Sequence, residues 1–220
     1  MFAALSKTLA QLPTPPFQRV LLISLAGSLA TALVLWFAID IALVNTSFFS
    51  IGWLESVVDT LGGVAAVVLL VLLFPAFVGI FASFMVETVC RAVEARYYPH
   101  LPEAREQSVI EAVLTGLRFG VVLIVANLIV LPLYLIPLVN IFVYWLLNGY
   151  LLGREYFELV AFRRLDPAQT KALRRRNRLQ MFAGGLVLAA LAIIPVVNLF
   201  LPLIGTALLL HIFEALRSRD

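Results

Sequence analysis

The chain alternates between long apolar runs and shorter segments that carry most of its charge. Unbroken apolar runs occupy residues 20–44 and 62–86, and two further runs occupy residues 119–152 and 179–213. Twenty-five helical residues rise about 37 Å at about 1.5 Å each, which is enough to cross a hydrocarbon core of about 30 Å. The first two runs therefore predict transmembrane helices.

The last two runs share a phrase that reads IPLVNIF in the first and IPVVNLF in the second, 58 positions later. Pro137 and Pro195 disfavour helical geometry at the preceding isoleucine, so the helix before each phrase should end there. Asn140 and Asn198 are favoured N-cap residues, so a second helix should begin at each asparagine. The phrase predicts two helical hairpins, with a proline kink in two continuous helices as the alternative.

The arm that follows each predicted turn is short. About 12 apolar residues follow the turn in each copy, at positions 141–152 and 199–210. Twelve helical residues rise about 18 Å, well short of a core of about 30 Å. Such arms are typical of re-entrant hairpins, whose turns must be covered by protein or line a watery cavity. We expect the two turns to lie near each other or near a subunit interface, with six full crossings as the alternative.

A stretch of mixed polarity precedes the first apolar run. Four apolar side chains within residues 1–16 recur at helical spacing, namely Phe2, Leu5, Leu9 and Leu12. This spacing predicts an amphipathic helix that lies in the membrane interface and is ended by the prolines that follow. A disordered terminus is the alternative.

Positive charge is confined to segments that fall on one side of the predicted membrane. Residues 87–118 carry both signs, and Glu87, Arg91 and Glu94 are spaced for solvated ion pairs on a helix that leaves the membrane. Residues 153–178 form a basic loop with eight Lys and Arg against three acidic residues, whereas residues 45–61 form a polar connection without Lys or Arg. The positive-inside rule then places both termini, the extension at 87–118 and the basic loop in the cytoplasm.

Composition agrees with this pattern. Hydrophobic residues make up 62% of the 220 positions and charged residues 13%, against about 45–50% and about 25% in soluble domains. Uninterrupted apolar runs indicate helices rather than barrel strands. We predict an all-α integral membrane protein with two transmembrane helices, two re-entrant (hemi-penetrating) helical hairpins and a short N-terminal amphipathic helix.

Few residues point to an enzyme. The single cysteine, Cys90, excludes an intrachain disulfide and a Cys-based metal site. His100 and His211 have no partners at metal-ligand or triad spacing and are expected at the interface, and a Gly-rich phosphate loop is absent. We predict no enzymatic activity, no cofactor and no metal. The apolar runs also lack paired carboxylates, which favours a channel over a pump.

The basic loop contains a run of three arginines, Arg174, Arg175 and Arg176. They either raise the local concentration of anions or bind the anionic headgroups of the cytoplasmic leaflet. Nucleic-acid binding is not expected, because no recognisable module accompanies the cluster.

The order of parts adds a family resemblance. A second span that runs into an E-x-x-x-x-x-x-E-A-R extension is followed by two hairpins with I-P-x-x-N, and the second hairpin carries FAGG and IIPVVNLFLP in order. Over residues 12–216 this resembles the CysZ sulfate-permease family, also called the etoposide-induced-like family. The resemblance implies two spanning helices with two hemi-penetrating hairpins, homo-oligomers, and sulfate uptake for cysteine synthesis across a bacterial inner membrane.

The resemblance also implies a site. Family members carry P-G-x-R-R before the first span, where it takes part in sulfate binding. Here the matching stretch reads PPFQR, so that Arg19 matches the second arginine, Gln18 stands at the first and Pro16 replaces the glycine. The family stretch Q-Y-x-D-Y-P is also replaced, by GREYFE at residues 153–158, which leaves another substrate open.

Helix N-termini supply free N–H groups and a partial positive charge to anions. The hypothesis is therefore that Gln18 and Arg19 capture sulfate or a related oxyanion, while the turns line its path through four residues, Pro137, Asn140, Pro195 and Asn198. A non-transporting oligomeric scaffold, which docks partners on the basic loop, is the second class of function.

Overall fold

The computed structural model describes residues 2–44, 52–105 and 109–218. Every regular element in these ranges is a helix, which confirms the all-α prediction. In chain order the helices are α1 (Phe2–Gln11), α2 (Pro15–Val44), α3 (Gly52–Phe84), α4 (Val86–Tyr97), α5 (Val109–Tyr134), α6 (Val139–Ala161), α7 (Pro167–Arg176), α8 (Arg178–Ala192), α9 (Pro195–Leu199) and α10 (Leu201–Arg217).

The chain divides into two compact units, each described by itself. One unit is Gln18–Met85, which holds most of α2 and all of α3. The other combines Met1–Phe17 with Val86–Asp220 and holds the charged segments and both hairpins.

The long apolar helix α2 meets the length and hydropathy of a membrane span over Pro15–Ala42, and 17% of its most apolar window is buried within the protein. Among the described residues it alone meets that test, and shorter apolar helices occupy Thr60–Phe74, Phe119–Tyr134 and Arg178–Ala192. An apolar helix so little covered by protein is suited to contact with lipid.

The second predicted span starts earlier than expected. Helix α3 begins at Gly52, so residues 52–61 of the predicted polar connection belong to the helix, while residues 45–51 lie outside the described ranges. Two hydroxyls in this stretch bond to the helix itself: the Ser56 hydroxyl donates to the Gly52 carbonyl and the Thr60 hydroxyl to the Ser56 carbonyl, at 3.1 and 2.8 Å.

A glycine sets the packing within the Gln18–Met85 unit. A Cβ added at Gly27 would lie 2.7 Å from the ring of Phe81, closer than side chains pack. The missing side chain therefore lets the Phe81 ring of α3 rest directly on the backbone of α2.

Both hairpins of the other unit turn where the prolines predict. Helix α5 ends at Tyr134 and helix α8 ends at Ala192, two residues before the Ile-Pro step in each copy. Ile194 is extended, with φ −87° and ψ 111°, as expected for a residue before proline. The chain thus turns between separate helices at both Ile-Pro steps, with α6 packed on α5 and α10 on α8, instead of continuing as two kinked helices.

The predicted N-caps are wrong in both copies, for different reasons. In the first copy Leu138, at φ 69°, reverses the chain directly after Pro137, and α6 begins at Val139 with Leu138 as its N-cap. Asn140 is already inside the helix, and its N–H donates to the Ile136 carbonyl at 3.2 Å.

In the second copy the proline itself starts a helix. Pro195 has a φ suited to the first helical position and no N–H to leave unpaired, so it opens the five-residue helix α9. Asn198 lies within α9, where its N–H donates to the Ile194 carbonyl at 2.8 Å. The long second arm, α10, begins only at Leu201, with Phe200 as its N-cap.

Helix α10 forms the centre of this unit. Fourteen of its 17 residues are buried, and it contacts α1, α4, α6 and α8. Helices α6 and α8 approach closely at glycines, because a Cβ at Gly185 would overlap the Gly149 carbonyl oxygen and one at Gly153 would overlap the Met181 carbonyl oxygen.

The N-terminal segment and most of the basic loop are helical. Helix α1 ends at Gln11, before the prolines, and it buries Ala4, Thr8 and Gln11 while Phe2 is exposed. The basic loop at 153–178 is largely helical, because α6 continues to Ala161 and α7 begins at Pro167. A capping box starts α7, in which the Asp166 carboxylate accepts a hydrogen bond from the backbone N–H of Gln169 at 2.8 Å.

The charged extension is only partly helical. Helix α4 begins at Val86 and ends at Tyr97. Residues 98–105 are irregular, residues 106–108 lie outside the described ranges, and α5 begins at Val109, ten residues before the predicted hairpin boundary at 119.

Candidate functional site

Gln18 and Arg19 lie side by side in the first two turns of α2, and both are exposed. The helix opens with Pro15 and Pro16, which have no backbone N–H. The N-terminus of α2 therefore offers fewer amide donors than a typical helix start, and an anion bound there would depend on the side-chain amide of Gln18 and the guanidinium of Arg19.

The turn residues all lie in the unit that holds the hairpins. Pro137, Pro195 and Asn198 are exposed, and Asn140 is half-buried. The first turn also exposes an apolar side chain, because Leu138 is 74% exposed. Whether the two turns adjoin a path for an anion stays a prediction.

The second turn has fewer free donors than the sequence led us to expect. The N–H groups of Leu203 and Ile204 both donate to the Phe200 carbonyl, at 3.0 and 2.9 Å, and Pro202 has none. Helix α9 is a single short turn. The start of α6 at Val139 is therefore the better of the two hairpin arms for presenting amide groups to an anion.

An ion-pair network that the sequence did not reveal ties α4 to the end of α6. Arg163 donates to both oxygens of Glu87, at 2.8 and 2.9 Å, and to both oxygens of Glu94, at 2.6 and 3.2 Å. The hydrogen bonds from Arg163 hold the pKa of Glu87 below its ordinary value, against the opposing effect of partial burial.

The network continues to α10. Arg164 bonds Glu94 at 2.9 Å and lies 3.4 Å from Glu214, which also pairs with Arg217 at 2.7 Å. Arg163 joins the same group and Arg91 pairs with Glu87, so four arginines face three glutamates. The Glu87–Arg91 pair at 2.9 Å was predicted, but Glu94 pairs with α6 instead of remaining on a solvated helix face. A partly buried group whose carboxylates each pair with arginine holds helices together rather than attracting an anion.

The arginine run on α7 divides in two. Arg174 and Arg175 line a cleft of ≈ 370 Å³ together with Arg154 and Arg178, and Arg176 is not part of that lining. The cleft thus collects two arginines that sequence reasoning had not joined to the run, because they lie on α6 and α8.

The two histidines and the cysteine hold no catalytic arrangement. His211, expected at the interface, is buried, and its Nδ1 lies 2.9 Å from the Tyr98 hydroxyl. It is shielded because α10 forms the centre of the unit. Cys90 is buried, and burial raises the pKa of its thiol to about 12. The described ranges contain no group of three or more His, Cys, Asp or Glu side chains placed to hold a metal ion.

Comparison with known proteins places the chain. No curated protein sequence matches it significantly. The family described as "Sulfate transporter CysZ/Etoposide-induced protein 2.4" matches residues 4–202, which is 199 of 220 residues and includes most of α1 and all of α2 to α9. The matched range contains Gln18 and Arg19 and both Ile-Pro turns. The chain therefore belongs to the sulfate transporter CysZ/etoposide-induced protein 2.4 family.

Proposed function

We propose that this protein is a permease of channel type for sulfate or a related oxyanion, and that it feeds cysteine biosynthesis from the bacterial inner membrane. The observation that carries the proposal is the family match over residues 4–202. It extends from the amphipathic helix through both hairpin turns, so the whole predicted transport apparatus lies inside it.

Exposure of apolar side chains supports a membrane location. Helix α5 packs on α6 and leaves apolar residues uncovered around much of its surface. Leu128 is 62% exposed and Ile129, the next residue, is 70% exposed. Since consecutive residues point about 100° apart on a helix, lipid or another copy of the chain must cover more than one face.

The capture step is assigned to Gln18 and Arg19. Arg19 supplies a permanent charge and up to five donors, and Gln18 supplies a neutral amide donor. Both side chains are exposed at the start of the most lipid-suited helix. An oxyanion that loses its water shell needs donors already in place, and the amide groups at the start of α6 are a second set of such donors.

We further propose that the hairpins are re-entrant and that the protein works as a homo-oligomer with both termini in the cytoplasm. Leu138 and Val196 sit at the two turns and are 74% and 67% exposed. Turn backbone inside lipid needs protein or water beside it. A second copy packed against the turns would provide that cover.

Flux through reconstituted vesicles tests the proposed function. Purified protein in liposomes should release or take up labelled sulfate faster than empty vesicles, and the flux should fall when unlabelled sulfite or thiosulfate competes. Chloride at the same concentration should compete less, because a monovalent ion interacts less strongly with the Arg19 guanidinium than a divalent oxyanion does. Sulfate flux equal to that of empty vesicles would refute the proposal.

A further inference from the structure

The cleft between α6, α7 and α8 has two kinds of wall. One wall is made of guanidinium groups from Arg154, Arg174, Arg175 and Arg178. The other is made of Tyr150, Met181 and Phe182. None of these lining residues is acidic, so the cleft has a strongly cationic side and an aromatic, apolar side.

The charge inside the cleft is only partly compensated. One glutamate oxygen, Glu158 Oε1, lies 2.9 Å from Arg154 Nε and 3.3 Å from Arg174 Nε. Two arginines therefore share one carboxylate. Arg174 Nε is buried and has no hydrogen-bond partner of good geometry within the described ranges. The four lining arginines and Glu158 together leave a formal charge of +3, which favours the binding of an anion.

The cleft lies where each hairpin meets its charged flank. Arg154 follows the first apolar run, which ends at residue 152, and Arg178 precedes the second, which begins at residue 179. The apolar wall belongs to the runs themselves. In the proposed orientation the cleft thus crosses the cytoplasmic boundary of the hydrocarbon core, with its arginines at headgroup level and its apolar wall at the level of the acyl chains.

We propose that this cleft binds one anionic phospholipid, with the headgroup phosphate on Arg154, Arg174 and Arg178 and an acyl chain against Met181 and Phe182. Guanidinium groups match phosphate oxygens with paired hydrogen bonds. A soluble oxyanion would use the charged wall and leave the apolar wall bare, whereas a phospholipid uses both. The assignment rests on the proposed cytoplasmic position of residues 153–178, and its test does not depend on sulfate flux.

Thermal unfolding of the purified protein in an uncharged detergent provides the test. The probes are dioctanoyl phosphatidylglycerol, dioctanoyl phosphatidylcholine, chain-free glycerophosphoglycerol and inorganic sulfate. Because a ligand that binds the folded state raises Tm with concentration, each titration gives an apparent Kd. Phosphatidylglycerol should raise Tm at lower concentration than any other probe.

Two variants and one control assign the effect to the cleft. Arg178→Gln should weaken phosphatidylglycerol binding about fivefold, and Arg174→Gln with Arg178→Gln about 25-fold. Lys171→Gln removes an exposed charge of α7 outside the cleft and should leave the Kd unchanged. Arg178 is exposed, so its single variant keeps the test valid even if loss of Arg174 unfolds the protein.

Several results would overturn the assignment. Equal stabilisation by glycerophosphoglycerol, or equal stabilisation by sulfate that is lost in Arg178→Gln, would make the cleft a site for soluble anions. Equal stabilisation by phosphatidylcholine would show that net charge plays no part. Equal losses in Arg178→Gln and Lys171→Gln would show general surface electrostatics instead of a cleft, and no shift with phosphatidylglycerol would remove the site.

Discussion

Arg163 and Glu87 form a two-bond fork between the end of α6 and the start of α4, although 76 residues separate them. Arg163 Nε lies 2.8 Å from Glu87 Oε2, and Arg163 Nη2 lies 2.9 Å from Glu87 Oε1. The Arg163 side chain is only 6% exposed, while that of Glu87 is 49% exposed. The buried partner is thus the cation, which also bonds Glu94. This relationship fixes α4 to the first hairpin.

Replacing Arg163 should destabilise the protein strongly. Arg163→Met leaves Glu94, whose side chain is 13% exposed, without its shortest ion pair. Loss of one partner of a buried pair costs about 3–5 kcal/mol, and the low end applies here because Glu87 remains accessible to water. Chemical denaturation in detergent measures the free energy of unfolding.

Arg91→Gln is the matched control for that measurement. It removes an exposed partner of the same Glu87, and its side chain is 67% exposed. A surface pair contributes about 0–1 kcal/mol, so the loss should be small. Similar losses in Arg91→Gln and Arg163→Met would contradict the assignment of the network to helix anchoring.

Glu155 makes stability depend on pH in an unusual direction. Burial raises the pKa of this carboxyl from 4.5 to about 7, and the residue lies beyond the first hairpin, in the charged flank. Between these two pH values the folded state holds more protons than the unfolded state, so stability falls as pH rises. This loss of stability reaches its full size only above about pH 7, where the Glu155 carboxyl is ionised in the folded state as well.

Glu155→Gln should therefore raise Tm at pH 8 by several degrees and change it little at pH 5. Glu103→Gln, which alters an exposed glutamate, should shift Tm equally at both values. Differential scanning fluorimetry in detergent at the two pH values compares the variants. A gain from Glu155→Gln that is larger at pH 5 would reverse the sign and reject the account.

The glycine contact between α6 and α8 should not accept a methyl group. In Gly185→Ala the new Cβ would overlap the Gly149 carbonyl oxygen and lie 2.6 Å from the Gly153 nitrogen. Both obstacles are backbone atoms, so the helices must separate, at a cost of about 3 kcal/mol or more. Thermal unfolding reports the loss.

Gly120→Ala serves as the control for the glycine contact. A Cβ at Gly120 of α5 meets no atom of the described residues within 4 Å. Alanine is favoured over glycine inside a helix by about 1 kcal/mol, so this variant should be neutral or more stable. If both variants lost stability to the same degree, the close approach would not be the cause.

The re-entrant hairpins can be tested by cysteine labelling in whole cells. Leu138→Cys and Val196→Cys, each in a Cys90→Ala background, place one thiol at each turn. Turns that dip into the membrane from the cytoplasm should not react with an impermeant maleimide added to the periplasm. Ser56→Cys, in the segment expected outside, should react fully, and full reaction at either turn would show that the hairpins span the bilayer.

The helix ends that are set by residues close in sequence could be predicted. The ring of each proline disfavours helical geometry at the isoleucine before it. The preceding helix accordingly ends two residues before the Ile-Pro step in both copies. The N-cap predictions at Asn140 and Asn198 failed because a competing local solution won in each copy. Leu138 takes a positive φ in one, and Pro195 opens a helix in the other.

Distant relationships could not be predicted from one sequence. Glu87 and Arg91 are four residues apart, so their pair follows from helical spacing. The partner of Glu94 is set by the packing of α4 against the end of α6, which no local pattern encodes. The same holds for Arg154 and Arg178, which join Arg174 only once the helices pack.

The central claim is that Gln18 and Arg19 capture the oxyanion, and the concentration dependence of sulfate flux in vesicles tests it most directly. Arg19→Ala removes a charged hydrogen-bond donor, so half-saturation should require about tenfold more sulfate. Gln18→Ala should have a smaller effect in the same direction, while Lys171→Ala, at an exposed position on α7, should resemble the wild type. Wild-type half-saturation in both Arg19→Ala and Gln18→Ala would contradict the claim.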